Sequence, residues 1–317
     1  MRLGRTLVRF LHLERHAGRS TRHSWVPYAF VALPAAYIGG IQLFILLRGF
    51  WLSLTATNLL APSDSRFVGF GNFQTIISSP PFLHSLQMTL LYTAGSLGGA
   101  LALGLGAALL LNGSFRGRGI ARAFIAIPWA TPGVAVALVF TWIFNDQFGV
   151  LNFLLTRFGI LGDYTTWLDN PDHAMLAVLI PTIWQLFPVC ALVILAALQA
   201  VSEDLVEAAR IDGADAISVF GSVVLPSIRP TLATIALLAT IWSFRRFELL
   251  WLLTQGGPAD ATNTLAIEVY RETFQYADLG TGAAVGMIGL GLSLVVTLAY
   301  FWLMGGTRTA TEQEGTA

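Results

Sequence analysis

Glu207-Ala208-Ala209-Arg210-Ile211-Asp212-Gly213, running on to Val223-Val224-Leu225-Pro226, is a polar loop between two long apolar runs. Ser202 is placed to cap a helix start, and Glu203 and Asp204 put acid where the helix dipole favours it. Leu205, Val206, Ala208 and Ala209 continue that helix. Gly213 should stop it, because Gly enters the left-handed C′ conformation without a Cβ penalty. Asp215 then caps a second short helix carrying Ile217, Phe220 and Val224. Pro226 is expected to end it, since the residue before proline avoids the helical region. Helix, glycine elbow and helix would expose an apolar ridge on the polar side of a membrane, and such ridges have partners.

The composition is that of a membrane protein. Of 317 residues, 55% are hydrophobic and 11% charged, against about a quarter charged in soluble domains. All 18 basic residues are Arg. A Walker A loop needs a Lys on the phosphates, so hydrolysis of ATP by this chain is not expected. The single cysteine, Cys190, excludes an internal disulfide and a multi-cysteine metal site. A net charge of zero gives no reason to expect nucleic acid.

Residues 1–24 carry six Arg against one acid, Glu14. Leu3, Leu7, Phe10 and Leu11 share helical spacing, so this segment reads as an amphipathic helix on the inner leaflet. A signal peptide is disfavoured by the length of the apolar run that follows. Six spans of about 20 apolar residues then follow: Trp25–Leu47, Ser85–Phe115, Ala123–Phe144, Ala174–Gln199, Thr231–Leu253 and Leu279–Met304. The expected organisation is therefore the basic segment 1–24, a six-helix domain 25–305 with the polar loop 200–229, and a tail 306–317. With the N-terminus inside, twelve Arg lie in inner segments and four in outer ones. The positive-inside rule then makes both termini cytoplasmic. That also puts the Glu207 loop in the cytoplasm.

The loop resembles the signature of permease subunits in binding-protein-dependent ABC importers. Glu207, Ala208, Ala209, Gly213, Leu225 and Pro226 match it, with Val223 where an Ile is usual. The resemblance implies an all-α integral membrane protein of six transmembrane helices with the ABC importer type I permease fold. It makes the loop, Phe220 included, the coupling element that docks on a separate ATPase. Phe67-Val68-Gly69-Phe70-Gly71-Asn72-Phe73 and Leu253-Thr254-Gln255-Gly256-Gly257-Pro258 are similar to the first permease of carbohydrate importers of the maltose, trehalose and glycerol-phosphate branch. Extra N-terminal spans and a large periplasmic insert, as in the maltose permease, are not expected. The partners implied are a second permease, two copies of a cytosolic ATPase that binds ATP and Mg²⁺, and an extracytoplasmic substrate-binding protein. The place implied is the bacterial cytoplasmic membrane.

Arg245, Arg246 and Glu248 stand inside the fifth apolar run. A charge there costs about 2.5–3.5 kcal/mol on insertion scales, so it should face protein or a water-filled cavity. On a continuous helix Arg245 and Glu248 share a face and could pair. Either a polar wall of a translocation cavity or a structural pair against the partner permease fits. Arg also ligates phosphate well, so an anionic substrate stays open. Trp129, Trp142, Trp184, Gln185, Trp242 and Trp251 have polar handles in apolar runs; Trp184, Gln185 and Trp242 are the candidates added to the cavity. Prolines 128, 132, 181 and 188 either open a site by interrupting helices or only kink them. The Gly95/Gly99 and Gly282/Gly286 pairs suit close helix packing. His12 and His16 have the spacing of a zinc helix but no third ligand nearby.

The sequence thus points to a permease for a carbohydrate, a di- or oligosaccharide such as trehalose or maltose. Glycerol-3-phosphate or another small polar solute is the alternative cargo. An ion-coupled transporter would need an intramembrane acid, and only Glu248 qualifies. A membrane enzyme would need a catalytic set, which does not stand out.

Overall fold

A computed structural model describes residues 25–314. The Arg-rich segment 1–24, with His12 and His16, lies outside them. The described residues divide into two compact units, with the boundary between Gly49 and Phe50. The first contains most of α1 (Trp25–Ser53), an apolar helix with Pro34 inside it. Its side chains from Phe30 to Leu47 are exposed, which for a helix apolar all round suits lipid.

The second unit opens with an antiparallel hairpin, β1 (Thr55–Asn58) and β2 (Ala61–Phe67), in which Thr55 pairs with Phe67. The sequence reading did not anticipate it. Asn72 Nδ2 donates to the carbonyls of Ser53 and Thr55 at 2.9 and 3.0 Å, tying the hairpin to α2 (Gly71–Ile77). Then follow α3 (Pro80–Asn112), α4 (Arg118–Ala130), α5 (Gly133–Ile143), α6 (Val150–Arg157) and α7 (Pro171–Gln199). The elbow helices are α8 (Glu203–Ile211) and α9 (Ala216–Val219). A π turn, Phe220–Val224, leads into α10 (Leu225–Phe244), and α11 (Glu248–Thr254) follows it. The chain closes with α12 (Leu265–Tyr270), a π turn at Arg271–Gln275 and α13 (Leu279–Glu314).

Among the described residues five helices are long and apolar enough to cross a membrane: Phe30–Ser53, Pro80–Asn112, Pro171–Gln199, Ala216–Phe244 and Leu279–Trp302. The pair α4 and α5 makes a sixth if counted as one span, and it bends by 94°. The scaffold is the contact of α3 with α7. A Cβ on Gly95 would stand 2.8 Å from Leu179 Cδ1, and one on Gly104 would stand 2.7 Å from Cys190 Cβ. Gly99 meets Ile183 in the same way. The small residues let the two backbones approach, and the buried Cys190 belongs to this seam. Two cores flank it, one with Tyr92, Val136, Val178, Leu250 and Ile267, the other with Ala100, Ile194, Ile228 and Ile235.

Two expectations are corrected. Pro226 does not end a helix: Ala216–Phe244 runs as one helical span. Pro226 has no N–H for a helical bond to Ser222, and its ring crowds that carbonyl. The widened π turn before it absorbs the fault, with Leu225 N–H bonded to the Phe220 carbonyl. The third apolar run is interrupted where Pro128 and Pro132 break it in the sequence, and it turns sharply at Pro128-Trp129-Ala130-Thr131-Pro132. The fifth run stops at Phe244 and resumes at Glu248, so Arg245 and Glu248 do not share a helix face. Among the described residues the ion pair found is Arg271–Asp260, and neither Arg245 nor Arg246 pairs with Glu248.

Candidate functional site: a cavity between interrupted helices and a polar elbow

The breaks in the third and fifth runs face one another. α11 packs on α5, and between the breaks lies a cavity of about 590 Å³. Trp129, Gly133, Gln185, Trp242, Arg245, Arg246, Phe247 and Glu248 line it. Five of the six side chains singled out for a cavity therefore meet: Arg245, Arg246, Glu248, Gln185 and Trp242. Trp184 does not join them. It packs edge-on to Phe140, ring centroids 5.7 Å apart, one helical step round α7 from Gln185. Trp142 is exposed, and Trp251 stacks on Phe247 and lies against Tyr270.

Each break leaves backbone groups without helical partners, and the cavity shows where they go. Gln185 Nε2, from α7, donates to the Thr131 carbonyl at 2.8 Å. Gly133 is the first residue of α5, and a Cβ there would stand 3.0 Å from Glu248 Oε2. The Glu248 carboxylate thus lies at the positive end of the α5 dipole while starting α11 itself. Trp129 and Trp242 pair with ring centroids 5.3 Å apart. Behind the cavity, Arg246 lies beside the Tyr92 hydroxyl, which is 2.9 Å from Thr182 Oγ1. The Thr182 hydroxyl donates to the Val178 carbonyl, so Tyr92 is the donor of the pair. Sequence reasoning missed Gly133 and Tyr92. The Pro132-Gly133 dipeptide, a helix-break signal, could have pointed to Gly133.

The elbow forms as the residues dictate. Gly213 has φ +89°. Its N–H bonds to the Arg210 carbonyl, and the Ala214 N–H to the Ala209 carbonyl, the paired bonds of a Schellman ending. The Asp215 carboxylate accepts from the Ser218 N–H at 2.8 Å; the Ser218 side chain first, and this N–H second, hold the carboxyl below its usual range. Ser202 occupies the N-cap of α8, but its side chain makes no capping bond; Glu203 and Asp204 supply the negative charge of the first turn. Leu205, Ile211 and Ile217 are 56%, 86% and 81% exposed, so they form the apolar ridge. Phe220 and Val224 are half-buried and turn inward instead. With Glu207, Arg210 and Arg118 they line a second cavity of about 780 Å³. Ala208 is exposed, Ala209 half-buried, and Leu225 and Pro226 exposed.

Residues 100–308, which include both the cavity and the elbow, match the family described as binding-protein-dependent transport system inner membrane component. The chain belongs to that family. Over 270 residues it is 33% identical to the sulfoquinovosyl glycerol transport system permease protein SmoG of Agrobacterium fabrum, covering 85% of this chain and 87% of that one. It is 34% identical over 266 residues to the inner membrane ABC transporter permease protein YcjO of Escherichia coli, covering 83% and 89%. It is 34% identical over 251 residues to the trehalose/maltose transport system permease protein MalF of Thermococcus litoralis, covering 79% and 84%. Among solved structures, a chain of the bacterial ABC transporter for the acidic polysaccharide alginate superposes with a TM-score of 0.74. At 24% identity, over 88% of this chain and 94% of that one, it establishes the fold. The type I importer permease fold expected from the sequence is thus the fold of this multi-pass inner-membrane protein.

Proposed function

We propose that this chain is one permease subunit of an ABC importer that moves a carbohydrate into the cytoplasm, handed over by an extracytoplasmic binding protein. The observation that carries this reading is the cavity between the two interrupted spans. Its paired tryptophans, Trp129 and Trp242, offer flat apolar faces for the C–H side of a sugar, and Gln185, Arg245, Arg246 and Glu248 offer hydrogen bonds to hydroxyls. Relatives named for sulfoquinovosyl glycerol and for trehalose/maltose support a carbohydrate cargo.

The elbow is the part that would take force from an ATPase. Glu207, Ala208, Ala209, Gly213, Phe220, Leu225 and Pro226 form a bent lever, and Ala216–Phe244 runs unbroken from it to the cavity wall at Trp242. Leu205, Ile211 and Ile217 give an ATPase groove an apolar ridge to grip. A rigid rod between two sites is what two-position coupling needs. The chain has no Lys for a phosphate loop, so ATP and Mg²⁺ belong to two copies of a partner ATPase. A second permease would complete the path, and both termini would be cytoplasmic. Reconstitution tests this: sugar uptake into vesicles should require ATP, the ATPase and loaded binding protein. Uptake driven by an ion gradient without ATP would overturn it.

A further inference from the structure

We infer that the cavity takes a carbohydrate bearing an acidic group, a carboxylate, sulfonate or phosphate, with Arg245 and Arg246 as its counter-charges. This rests on the importer reading above and narrows its substrate class. The charged side chains lining the cavity are two arginines and one glutamate. The glutamate offsets one arginine at most, which leaves the lining net positive. Its carboxylate lies against Gly133, at the N-terminus of the 11-residue α5. Unbonded backbone N–H groups and the positive dipole end meet the charge there. Among the described residues no ion pair joins it to either arginine.

One positive charge is therefore left over among the three groups. Arg246 Nη1 is buried and, among the described residues, has no hydrogen-bond partner. Leaving such a donor unpaired is costly, and an anionic oxygen arriving with the substrate would satisfy both its hydrogen bond and its charge. Guanidinium groups present a planar fork that matches carboxylate, sulfonate and phosphate oxygens two at a time. A neutral hydroxyl could accept one hydrogen bond and would leave the surplus charge in place. Beside the arginines the Trp129–Trp242 pair supplies an aromatic wall, so the cavity combines a sugar platform with an anion site.

The test uses the complete transporter with its binding protein in vesicles. They are offered an equimolar mixture of neutral sugars (trehalose, maltose, maltotriose) and acidic ones (oligouronates, sulfoquinovosyl glycerol, trehalose phosphate). Mass spectrometry identifies what enters on addition of ATP. Acidic members are expected to enter in preference. Arg246→Gln should lower the acidic-to-neutral uptake ratio about tenfold or more, the loss of one charge-assisted hydrogen bond, and Arg246→Lys should recover part of it. ATP-dependent uptake of neutral sugars alone would overturn the inference and leave the importer reading standing. So would an unchanged ratio in the Arg245→Gln/Arg246→Gln double variant with both classes falling together, since the arginines would then only be structural. No ATP-dependent uptake of any sugar, with ATP turnover unresponsive to loaded binding protein, would overturn the importer reading itself.

Discussion

Gly133 and Glu248 meet across the two helix breaks: a Cβ on Gly133 would stand 3.0 Å from Glu248 Oε2. A carboxylate at a helix N-terminus contributes roughly 0.3–1 kcal/mol, up to about 2 in partly buried geometry. Glu248→Gln should destabilise the purified permease by that order. The contact also fixes which partner is energetically coupled to Glu248. A double-mutant cycle of Glu248→Gln with Arg245→Gln should give a coupling below about 0.5 kcal/mol, and the cycle with Gly133→Leu should be non-additive. Thermal midpoints of the four proteins in each cycle measure this. Strong coupling to Arg245 with none to Gly133 would replace the helix-end account with an ion pair.

The seam between α3 and α7 gives a test within a single helix. A methyl group on Gly104 would meet Cys190 Cβ at 2.7 Å and the Ala191 amide nitrogen at 3.1 Å, and backbone cannot swing aside. Gly106, two residues on, has nothing within 4 Å. Gly104→Ala should cost about 1–3 kcal/mol, the range for overpacking. Gly106→Ala should be neutral or slightly stabilising, since Ala propagates a helix better than Gly. The yield of monodisperse protein and its thermal midpoint report both. Equal effects at the two positions would mean helix propensity governs here, not the seam.

Much of this arrangement is written locally in the chain, and the exceptions have physical causes. Gly213 and Asp215 behave as their residue types require, because caps and left-handed turns are decided within a few residues; Ser202 holds the N-cap position of α8 without the capping bond its type offers. Pro226 did not behave so, because its fault is absorbed by a π turn that begins six residues earlier at Phe220, which no pattern of apolar residues announces. Arg245, Arg246 and Glu248 advertised a polar wall, yet the helix was expected to continue through them. In the fold the backbone breaks at that point, and Glu248 goes to Gly133, about a hundred residues earlier in the chain. Trp184 and Gln185 are adjacent, and only the rotation of α7 decides that Gln185 lines the cavity while Trp184 packs on Phe140. That rotation is set by α3 and by the Gly95, Gly99 and Gly104 contacts, which a reading of single spans does not contain.

Glu272 sets a pH dependence. It lies in the turn before α13, outside the spans, and burial first, then repulsion from Glu268 and Asp278, raise its carboxyl above the ordinary range. Folding therefore favours the protonated form. Below the unfolded value, about 4.3, both states hold the proton and nothing is lost. As pH rises past that value the unfolded chain releases its proton first. The folded state loses stability until pH exceeds the raised folded value. Glu272→Gln should accordingly raise the thermal midpoint at pH 8 and leave it nearly unchanged at about pH 4. A midpoint gain that is the same at both pH values would remove the ionised carboxylate as the cause.

The elbow separates backbone geometry from packing. Gly213 has φ +89°, and a Cβ there would meet nothing within 4 Å. Any penalty on substitution is therefore one of backbone conformation, on the order of 1–3 kcal/mol for a residue held in a sparsely populated region. Gly213→Ala should tolerate the bend better than Gly213→Val, because branching at Cβ suits positive φ worst. The elbow lies in a polar loop between spans, so membrane insertion should survive both changes. If the elbow is the lever for an ATPase, altering its angle misdirects Ile211 on α8 relative to Ile217 on α9. The expected phenotype is an inserted permease that recruits its ATPase weakly, with ATP turnover no longer stimulated by loaded binding protein. Glu207→Ala should act in the same direction more mildly, by roughly 1.5–3 kcal/mol if its carboxylate accepts a charge-assisted hydrogen bond from the ATPase. Copurified ATPase and stimulated turnover, measured side by side for the three variants, decide the matter. Unimpaired stimulation in Gly213→Val would show that force does not enter the permease through this bend.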